Sequence, residues 1–276
     1  MTHQSYNTVI RINKRIILSA LAFTLILTPM ISQHKEETTI KVQCDPETGL
    51  CAIPDFDQEQ EPIEWKEGEE IIYIGDPMCS WCWGMSPELN ALQRYGAEQG
   101  IPFTLLMGGL RPESGQKWDD EFKNYLKHHW TEVNKRTGQP FDHSFFDKSS
   151  FDYNTEPACR GIVTARAIAP EKALAFYEHA QHYFYAKAGD PHEVSFYKPI
   201  CEELSIDYGL FSQMFESEEM KQQTLADFNQ SRQWGVRAFP SIVYRKDDQL
   251  YLIAEGYAKY EGLKKSITDI KSEAGK

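Results

Sequence analysis

Apolar residues follow two patterns along the chain: short unbroken runs, and longer stretches with helical spacing. The run at 71–75 ends in Gly75, and the run at 103–107 is followed by Gly108, which is typical of buried strands. Between them the pattern predicts a helix that begins near Cys79 and ends at Gly100. A strand, a short helix and a second strand in this order imply a parallel pair of strands.

The middle of the chain, from about 117 to 236, has no convincing strand pattern. An apolar face repeats from Phe176 to Phe184 with the spacing of a buried helix. Helices are predicted at 117–136, 156–168, 171–187, 191–204 and 218–234. Strand patterns return at 240–244 and 249–253, and a last helix is predicted at 259–271. The predicted order is therefore β-α-β, a block of helices, then β-β-α.

Residues 1–32 predict a secretory signal peptide. Arg11, Lys14 and Arg15 precede an uncharged run at 16–27, which is shorter than the ~20 residues of a membrane-spanning helix. We therefore expect cleavage after Ser32, with an uncleaved N-terminal anchor as the alternative. The destination would be an oxidising, extracytoplasmic space such as a bacterial periplasm, and no membrane span is expected unless the segment stays uncleaved.

The composition is that of a globular protein with a sizeable core. The chain has 276 residues, 41% of them hydrophobic, and a net charge of -12. An acidic surface argues against nucleic acid as a partner, because phosphate binding needs a basic field. The remaining chemical signal comes from the six cysteines.

Two of those cysteines, Cys79 and Cys82, are separated by Ser80 and Trp81 at the start of the predicted helix. Their spacing allows a small ring disulfide, and the positive end of the helix dipole would lower the pKa of the Cys79 thiol below ~8.5. A structural disulfide and half of a zinc site are the alternatives. The position after a buried strand favours redox catalysis, and no second pair at metal-ligand spacing follows. We predict no metal and no other cofactor.

A second signal is the string Phe239-Pro240-Ser241 before the third predicted strand. Together with Asp76-Pro-Met-Cys-Ser-Trp-Cys-Trp-Gly84 and Asn154-Thr-Glu-Pro-Ala-Cys-Arg160, it resembles the DsbA-like thioredoxin-fold family. The resemblance is to the branch of predicted protein-disulfide isomerases related to FrnE, and it spans roughly 70–272.

The resemblance implies an α/β fold, namely a thioredoxin domain at 67–276 with a helical insertion at about 112–235. It also implies that Cys79 is the nucleophile, Cys82 the resolving thiol and Pro240 a cis-proline facing the pair. Backbone at Phe239 would then bind an extended substrate strand. The dipeptide Ser80-Trp81 replaces the Pro-His of DsbA, which puts strong oxidising power in doubt.

The predicted function is an extracytoplasmic thiol-disulfide oxidoreductase, acting as oxidase, isomerase or reductase. Its partners would be unfolded or mispaired secreted proteins and a redox partner that resets Cys79–Cys82. A redox-regulated chaperone or sensor and a Cu(I) metallochaperone using the same thiols are alternatives. Trp81, with Met78 and Trp83, is expected either to bind substrate or to pack around the helix.

Four further cysteines are candidates for accessory disulfides. Cys159 and Cys201 lie in predicted helices and are expected either as buried thiols or as a pair. Cys44 and Cys51 lie in residues 33–66, a predicted acidic tether with nine acidic residues and three lysines. The Pro and Gly between them suit a tight turn that can bring the Cα atoms within disulfide range. We interpret this pair as a local staple or as a second redox pair exchanging with Cys79–Cys82.

Asp76 precedes the Cys79–Cys82 motif at the end of the predicted strand. Its carboxyl group is interpreted either as a proton shuttle for Cys82 or as a capping group. Glu156 has the same two interpretations.

Overall fold

The central sheet of the computed structural model, which describes residues 10–12, 43–45, 50–52 and 67–273, has five strands. In chain order they are β1 (Ile10–Ile12), β4 (Glu69–Gly75), β5 (Phe103–Met107), β7 (Ser241–Lys246) and β8 (Gln249–Glu255). Their spatial order is β1-β8-β7-β4-β5. The β4–β5 pair is parallel and the other pairs are antiparallel, which confirms the predicted β-α-β unit and the closing hairpin.

A smaller antiparallel sheet joins distant parts of the chain. Its strands are β2 (Gln43–Asp45), β3 (Leu50–Ala52) and β6 (Ala238–Phe239), in the order β2-β3-β6. Cys44 and Cys51 are register partners, as the turn residues between them predict. The described part of the predicted tether therefore pairs with the thioredoxin domain, which its acidic composition did not indicate.

The helices are α1 (Ser80–Gln99), α2 (Asp120–Thr137), α3 (Glu156–Ile168), α4 (Ala173–Tyr185), α5 (Lys198–Glu203), α6 (Tyr208–Phe215), α7 (Glu218–Gln233) and α8 (Tyr260–Glu273). The predicted helix at 191–204 is a 3-10 turn at Val194–Tyr197 followed by the short α5. Helix α6 is missed by the sequence analysis. It is capped by Asp207, whose side chain accepts a hydrogen bond from the Leu210 amide.

Buried side chains form two apolar clusters. The larger one fills the space between the central sheet and its helices, and it includes Cys79, Trp81 and Cys82. The second is mostly aromatic and belongs to the helical insert, with Trp130 and Phe145 at 0% exposure. Met78 and Trp83 belong to this second cluster. The insert therefore packs directly against the residues on either side of the two cysteines.

The predicted signal segment lies outside the described residues except for β1. Strand β1 pairs with β8, placing Ile10 opposite Leu252. Cleavage after Ser32, as the sequence predicts, would remove this edge strand from the sheet. Among the helices within the described ranges, none is long and apolar enough to cross a membrane.

Candidate active site

The start of α1 follows directly from the end of β4. Cys79 is the residue that caps the helix, in an extended conformation with φ -88° and ψ 115°. Its amide donates to the carbonyl of Asp76 at 3.0 Å, and its own carbonyl accepts from the Trp83 amide at 3.1 Å. Cys82 lies in the first turn. Both cysteines therefore lie at the N-terminal end of the helix, as predicted.

The cis-proline segment lies beside Cys79. The Phe239–Pro240 peptide is cis, as the family resemblance predicts. The Cys79 Sγ atom lies 3.9 Å from the carbonyl oxygen of Phe239. Gly108 permits the close packing behind this segment, because a Cβ atom there would lie 2.0 Å from the Phe239 ring. The fold thus brings together residues that are 160 positions apart in the chain.

Both cysteines are reduced in the structure, and both are 0% exposed. Burial raises the pKa of the Cys79 thiol well above its ordinary value, and the neighbouring Cys82 and Asp76 add to the effect. The prediction of a lowered pKa at an exposed first turn is therefore wrong. The helix N-terminus is where the sequence predicts it, but the thiol is buried, and the charge of Asp76 also acts against its ionisation.

Asp76 is a fully buried carboxyl group beneath the thiols. Its two oxygens accept hydrogen bonds from the amides of Met78 at 2.8 Å and Leu110 at 2.7 Å. The Cys159 thiol donates to it at 3.4 Å. Burial raises the pKa of Asp76, although these donors act in the opposite direction. The carboxyl group both fixes the loop before Cys79 and disfavours a thiolate there.

Three tyrosines that the sequence analysis missed hold the same loop. Tyr177 donates to the Asp76 carbonyl at 3.1 Å and lies 3.3 Å from the hydroxyl of Tyr73. Tyr153 donates to the Met78 carbonyl at 2.9 Å. Each is buried among apolar side chains, so each resembles an ordinary core aromatic in the sequence. Tyr153 and Tyr177 thus provide hydrogen-bond donors to two buried carbonyls of the loop, and Tyr73 contacts the hydroxyl of Tyr177.

For two sets of accessory residues the structure fits one of the two interpretations that the sequence left open. Trp81 is 0% exposed and belongs to the main core, so its predicted contact with substrate does not fit this structure. Met78 and Trp83 are also buried, which supports the packing interpretation for all three. Cys159 and Cys201 are separate thiols, not a disulfide. Cys159 instead contacts Asp76, and burial raises the pKa of Cys201 to about 12.

The backbone edge predicted to bind substrate is occupied within the chain. Strand β6 pairs with β3, so that Phe239 lies opposite Cys51 and Ala238 lies opposite Ala52. A cleft of about 650 Å³ opens beside α1, and Trp83 and Gln139 contribute to its lining. Neither Cys79 nor Cys82 lines it. This cleft therefore does not open onto the two thiols.

Comparisons with known proteins agree with this geometry. A family model described as the DSBA-like thioredoxin domain matches residues 71–268. The chain is 33% identical to a solved candidate protein disulfide isomerase from Nitrosomonas europaea, with a TM-score of 0.66 over 75% of this chain and 99% of that one. The cytosolic disulfide reductase DsbM from Pseudomonas aeruginosa shares the fold at 22% identity, with a TM-score of 0.57 over 73% of this chain and 98% of that one. No protein of curated function matches the chain.

Proposed function

The chain belongs to the DsbA-like thioredoxin family and is a thiol-disulfide oxidoreductase, and we propose that Cys79 and Cys82 carry out its exchange reactions on secreted proteins. The observation that carries this proposal is the position of Cys79, at the N-terminus of α1 and 3.9 Å from the Phe239 carbonyl before the cis-proline. Backbone there can align a client strand beside the attacking sulfur.

In the reductive direction, the Cys79 thiolate attacks one sulfur of a client disulfide. A mixed disulfide forms, and the other client sulfur leaves as a thiolate. Cys82 lies three residues further along α1, and its thiolate attacks Cys79 and releases the client. The client gains two electrons, and the Cys79–Cys82 disulfide forms. A separate redox partner must then reduce this disulfide.

We propose that the protein acts as an isomerase or a reductase and not as a strong oxidase. Strong oxidants of this fold stabilise their reduced form by favouring the thiolate. Here burial, Cys82 and Asp76 all raise the pKa of Cys79, and Ser80-Trp81 supplies no cation next to it. The likeness to the Nitrosomonas protein agrees with this direction.

Titration of Cys79–Cys82 in glutathione buffers tests the direction. The change Cys44→Ala/Cys51→Ala removes the hairpin cysteines, so that they do not contribute to the titration. We expect a potential between about -180 and -270 mV, the range from protein disulfide isomerase to thioredoxin. A value near about -120 mV, as in DsbA, would contradict the proposal and identify an oxidase.

The assignment of the two roles is tested by trapping. Cys82→Ala should accumulate mixed disulfides with a client whose disulfides are scrambled, because Cys79 attacks and the proposed resolving thiol, Cys82, is absent. Mass spectrometry should place the client on Cys79. Cys79→Ala/Cys82→Ala is the matched control and should trap nothing. Adducts on another cysteine, or none on Cys79, would refute the assignment.

We further propose that the protein acts outside the cytoplasm. The support is the basic and apolar pattern of residues 1–32. N-terminal sequencing of protein from separated cell fractions tests this directly. A mature chain that begins after Ser32 and lies in the periplasmic fraction is expected. An intact N-terminus in the cytoplasm would refute it, and in that case β1 would remain in the sheet.

A further inference from the structure

The hairpin formed by β2 and β3 lies where an extended client would bind. In the β2-β3-β6 sheet, β3 is the strand that contacts β6, and its register places Cys51 opposite Phe239. Neighbouring strands lie about 5 Å apart. The carbonyl oxygen of Phe239 is itself 3.9 Å from the Cys79 sulfur. The backbone of Cys51 is therefore one strand away from the residue that contacts the proposed nucleophile, Cys79.

We propose that this hairpin is a built-in substrate strand, and that Cys44 and Cys51 form a second redox pair that exchanges electrons with Cys79–Cys82 through a Cys51–Cys79 bridge. The inference rests on the proposed role of Cys79. It identifies Cys44–Cys51 as a redox partner of Cys79–Cys82 within the same chain.

The exchange balances without any external reagent. Starting from oxidised Cys79–Cys82, the Cys51 thiolate attacks the Cys79 sulfur, and Cys82 leaves as a thiolate. The Cys44 thiolate then attacks Cys51, so that the Cys44–Cys51 disulfide forms and Cys79 leaves. Two electrons pass from the hairpin to α1, and the two hairpin thiol protons end on Cys79 and Cys82. The reverse sequence passes the electrons back.

The strand order assigns different roles to the two hairpin cysteines. Cys51 lies on the strand that contacts β6, whereas Cys44 lies on the outer strand, about 10 Å from β6. Cys44 and Cys51 are also register partners, which brings their Cα atoms together for the second step. Cys51 is therefore the residue that meets Cys79, and Cys44 is the one that resolves the bridge.

Two further observations support docking of the hairpin at this site. Cys79 is 0% exposed, so a residue whose backbone already pairs with the neighbouring strand β6 has an advantage over a thiol in solution. At the other end of the hairpin, the charge of Asp45 raises the pKa of His129 on α2, opposing the larger effect of burial. The hairpin is thus close to the insert as well as to β6.

Two double variants of the full chain provide the test. Cys44→Ala/Cys82→Ala retains Cys51 and Cys79 but removes both resolving thiols. Cys51→Ala/Cys82→Ala is the matched control, because it retains Cys44 as its only hairpin cysteine together with Cys79. Each reduced protein is mixed with hydroxyethyl disulfide as oxidant, quenched with acid, alkylated and mapped by mass spectrometry. Cys159 and Cys201 are present in both variants and serve as internal references.

We expect the Cys51–Cys79 bridge to form at a rate independent of protein concentration. It should form at least about tenfold faster than Cys44–Cys79, since a tethered neighbour has a millimolar effective concentration and an outer strand does not meet the site. Equal rates for the two variants, no bridge, or a rate that scales with protein concentration would each overturn the proposal.

A parallel reaction separates this inference from the proposed function. Both double variants retain Cys79 and lack Cys82, so in both of them Cys79 should attack a client with scrambled disulfides. The client adduct should persist in Cys51→Ala/Cys82→Ala, whereas in Cys44→Ala/Cys82→Ala the Cys51 thiolate should displace the client and form the Cys51–Cys79 bridge. Client adducts without a Cys51–Cys79 bridge would refute the hairpin relay alone. If Cys79 forms neither product, its role as nucleophile is also refuted.

Discussion

The two cysteine pairs near β6 are held by different kinds of structure. Cys79 and Cys82 belong to the start of α1, where core packing leaves both at 0% exposure. Cys44 and Cys51 belong to neighbouring strands of a hairpin that is in register with β6 at two positions. The first pair is held by side chains from many elements, and the second is held mainly by backbone pairing at a sheet edge.

This difference indicates which pair moves. A short edge pairing can open locally at a small fraction of the free energy needed to unfold the domain. Displacing α1 would expose a core cluster and the loop that Asp76 fixes. We therefore expect a client to reach Cys79 by displacing the hairpin while α1 stays in place.

The largest expected effect is loss of the α1 nucleophile. Cys79→Ala should reduce turnover of a client disulfide close to the uncatalysed rate, because Cys79 is the proposed attacking thiol. Cys44→Ala/Cys51→Ala should change turnover only severalfold, since clients still reach Cys79. Reduction of a fluorescent disulfide peptide measures both. If the hairpin variant is as inactive as Cys79→Ala, the two pairs do not differ in the proposed way.

Asp76→Asn should affect the α1 pair and leave the hairpin pair unchanged. The amide removes the negative charge, so the pKa of Cys79 should fall, and alkylation of Cys79 near neutral pH should become faster. Its NH₂ group would also face one of the two amides that now donate to Asp76, a loss of about 1–3 kcal/mol in unfolding free energy.

Alkylation rate against pH and urea unfolding measure these changes. Glu156→Gln is the control, because Glu156 pairs with Arg160 at 3.2 Å and should leave the Cys79 profile unchanged. An unchanged pH profile in Asp76→Asn would show that the carboxyl group does not act on Cys79.

Gly108→Ala should disturb the one element that both pairs share. The new Cβ would lie 2.0 Å from the buried Phe239 ring, so β6 must shift. Overpacking of this kind costs about 1–3 kcal/mol in unfolding free energy. Formation of the Cys51–Cys79 bridge should slow as well. Adding Phe239→Leu should make room for the new Cβ and restore part of the unfolding free energy. If it does not, the loss of stability in Gly108→Ala does not come from the contact with the Phe239 ring.

Raising the pH should destabilise the reduced α1 pair relative to its oxidised form. The pKa of Cys79 is raised by folding, so the stability that this thiol contributes is fully present below its unfolded value of ~8.5 and is lost as pH rises above it. The loss is at most about 1.4 kcal/mol per pH unit for one thiol.

Urea unfolding between about pH 7.5 and pH 9.5 measures this difference in reduced and oxidised protein. The Cys44→Ala/Cys51→Ala background removes any contribution of the hairpin thiols. Cys159 and Cys201 titrate in both redox forms and therefore cancel. A reduced form that gains stability relative to the oxidised form would contradict the raised pKa.

The smallest expected effect reports whether the hairpin is docked. His129 is buried and its pKa is lowered to about 4, while the Asp45 charge acts in the opposite direction. Asp45→Asn should therefore lower the pKa of His129 further, as followed by NMR of its ring protons. Lys135→Gln on the exposed side of α2 is a control that keeps the hairpin intact. If the pKa of His129 is the same in Asp45→Asn, the hairpin does not lie close to α2 in solution.

Local patterns were sufficient for much of the fold. Helix α3 has the predicted bounds, and α7 ends within one residue of its prediction. Each follows a hydroxyl residue, Thr155 or Ser217, and each has acidic residues in its first turn, which are typical signals of a helix N-terminus. Helix α6 was missed because it has only eight residues, and Gly209 in its first turn weakens the helical pattern. Its two buried residues, Phe211 and Phe215, make too short a repeat to identify.

The sequence by itself determined the position of Cys79 and Cys82 at a helix N-terminus, because a strand, a Cys-x-x-Cys motif and a helical repeat are all encoded within thirty residues. It also indicated the turn that joins Cys44 to Cys51. Only the tertiary structure decided that Cys79 is covered, that its pKa is raised, and that β6 is occupied by β3. Burial and edge pairing depend on segments far apart in the chain, and no local spacing specifies which distant surface will cover a given thiol.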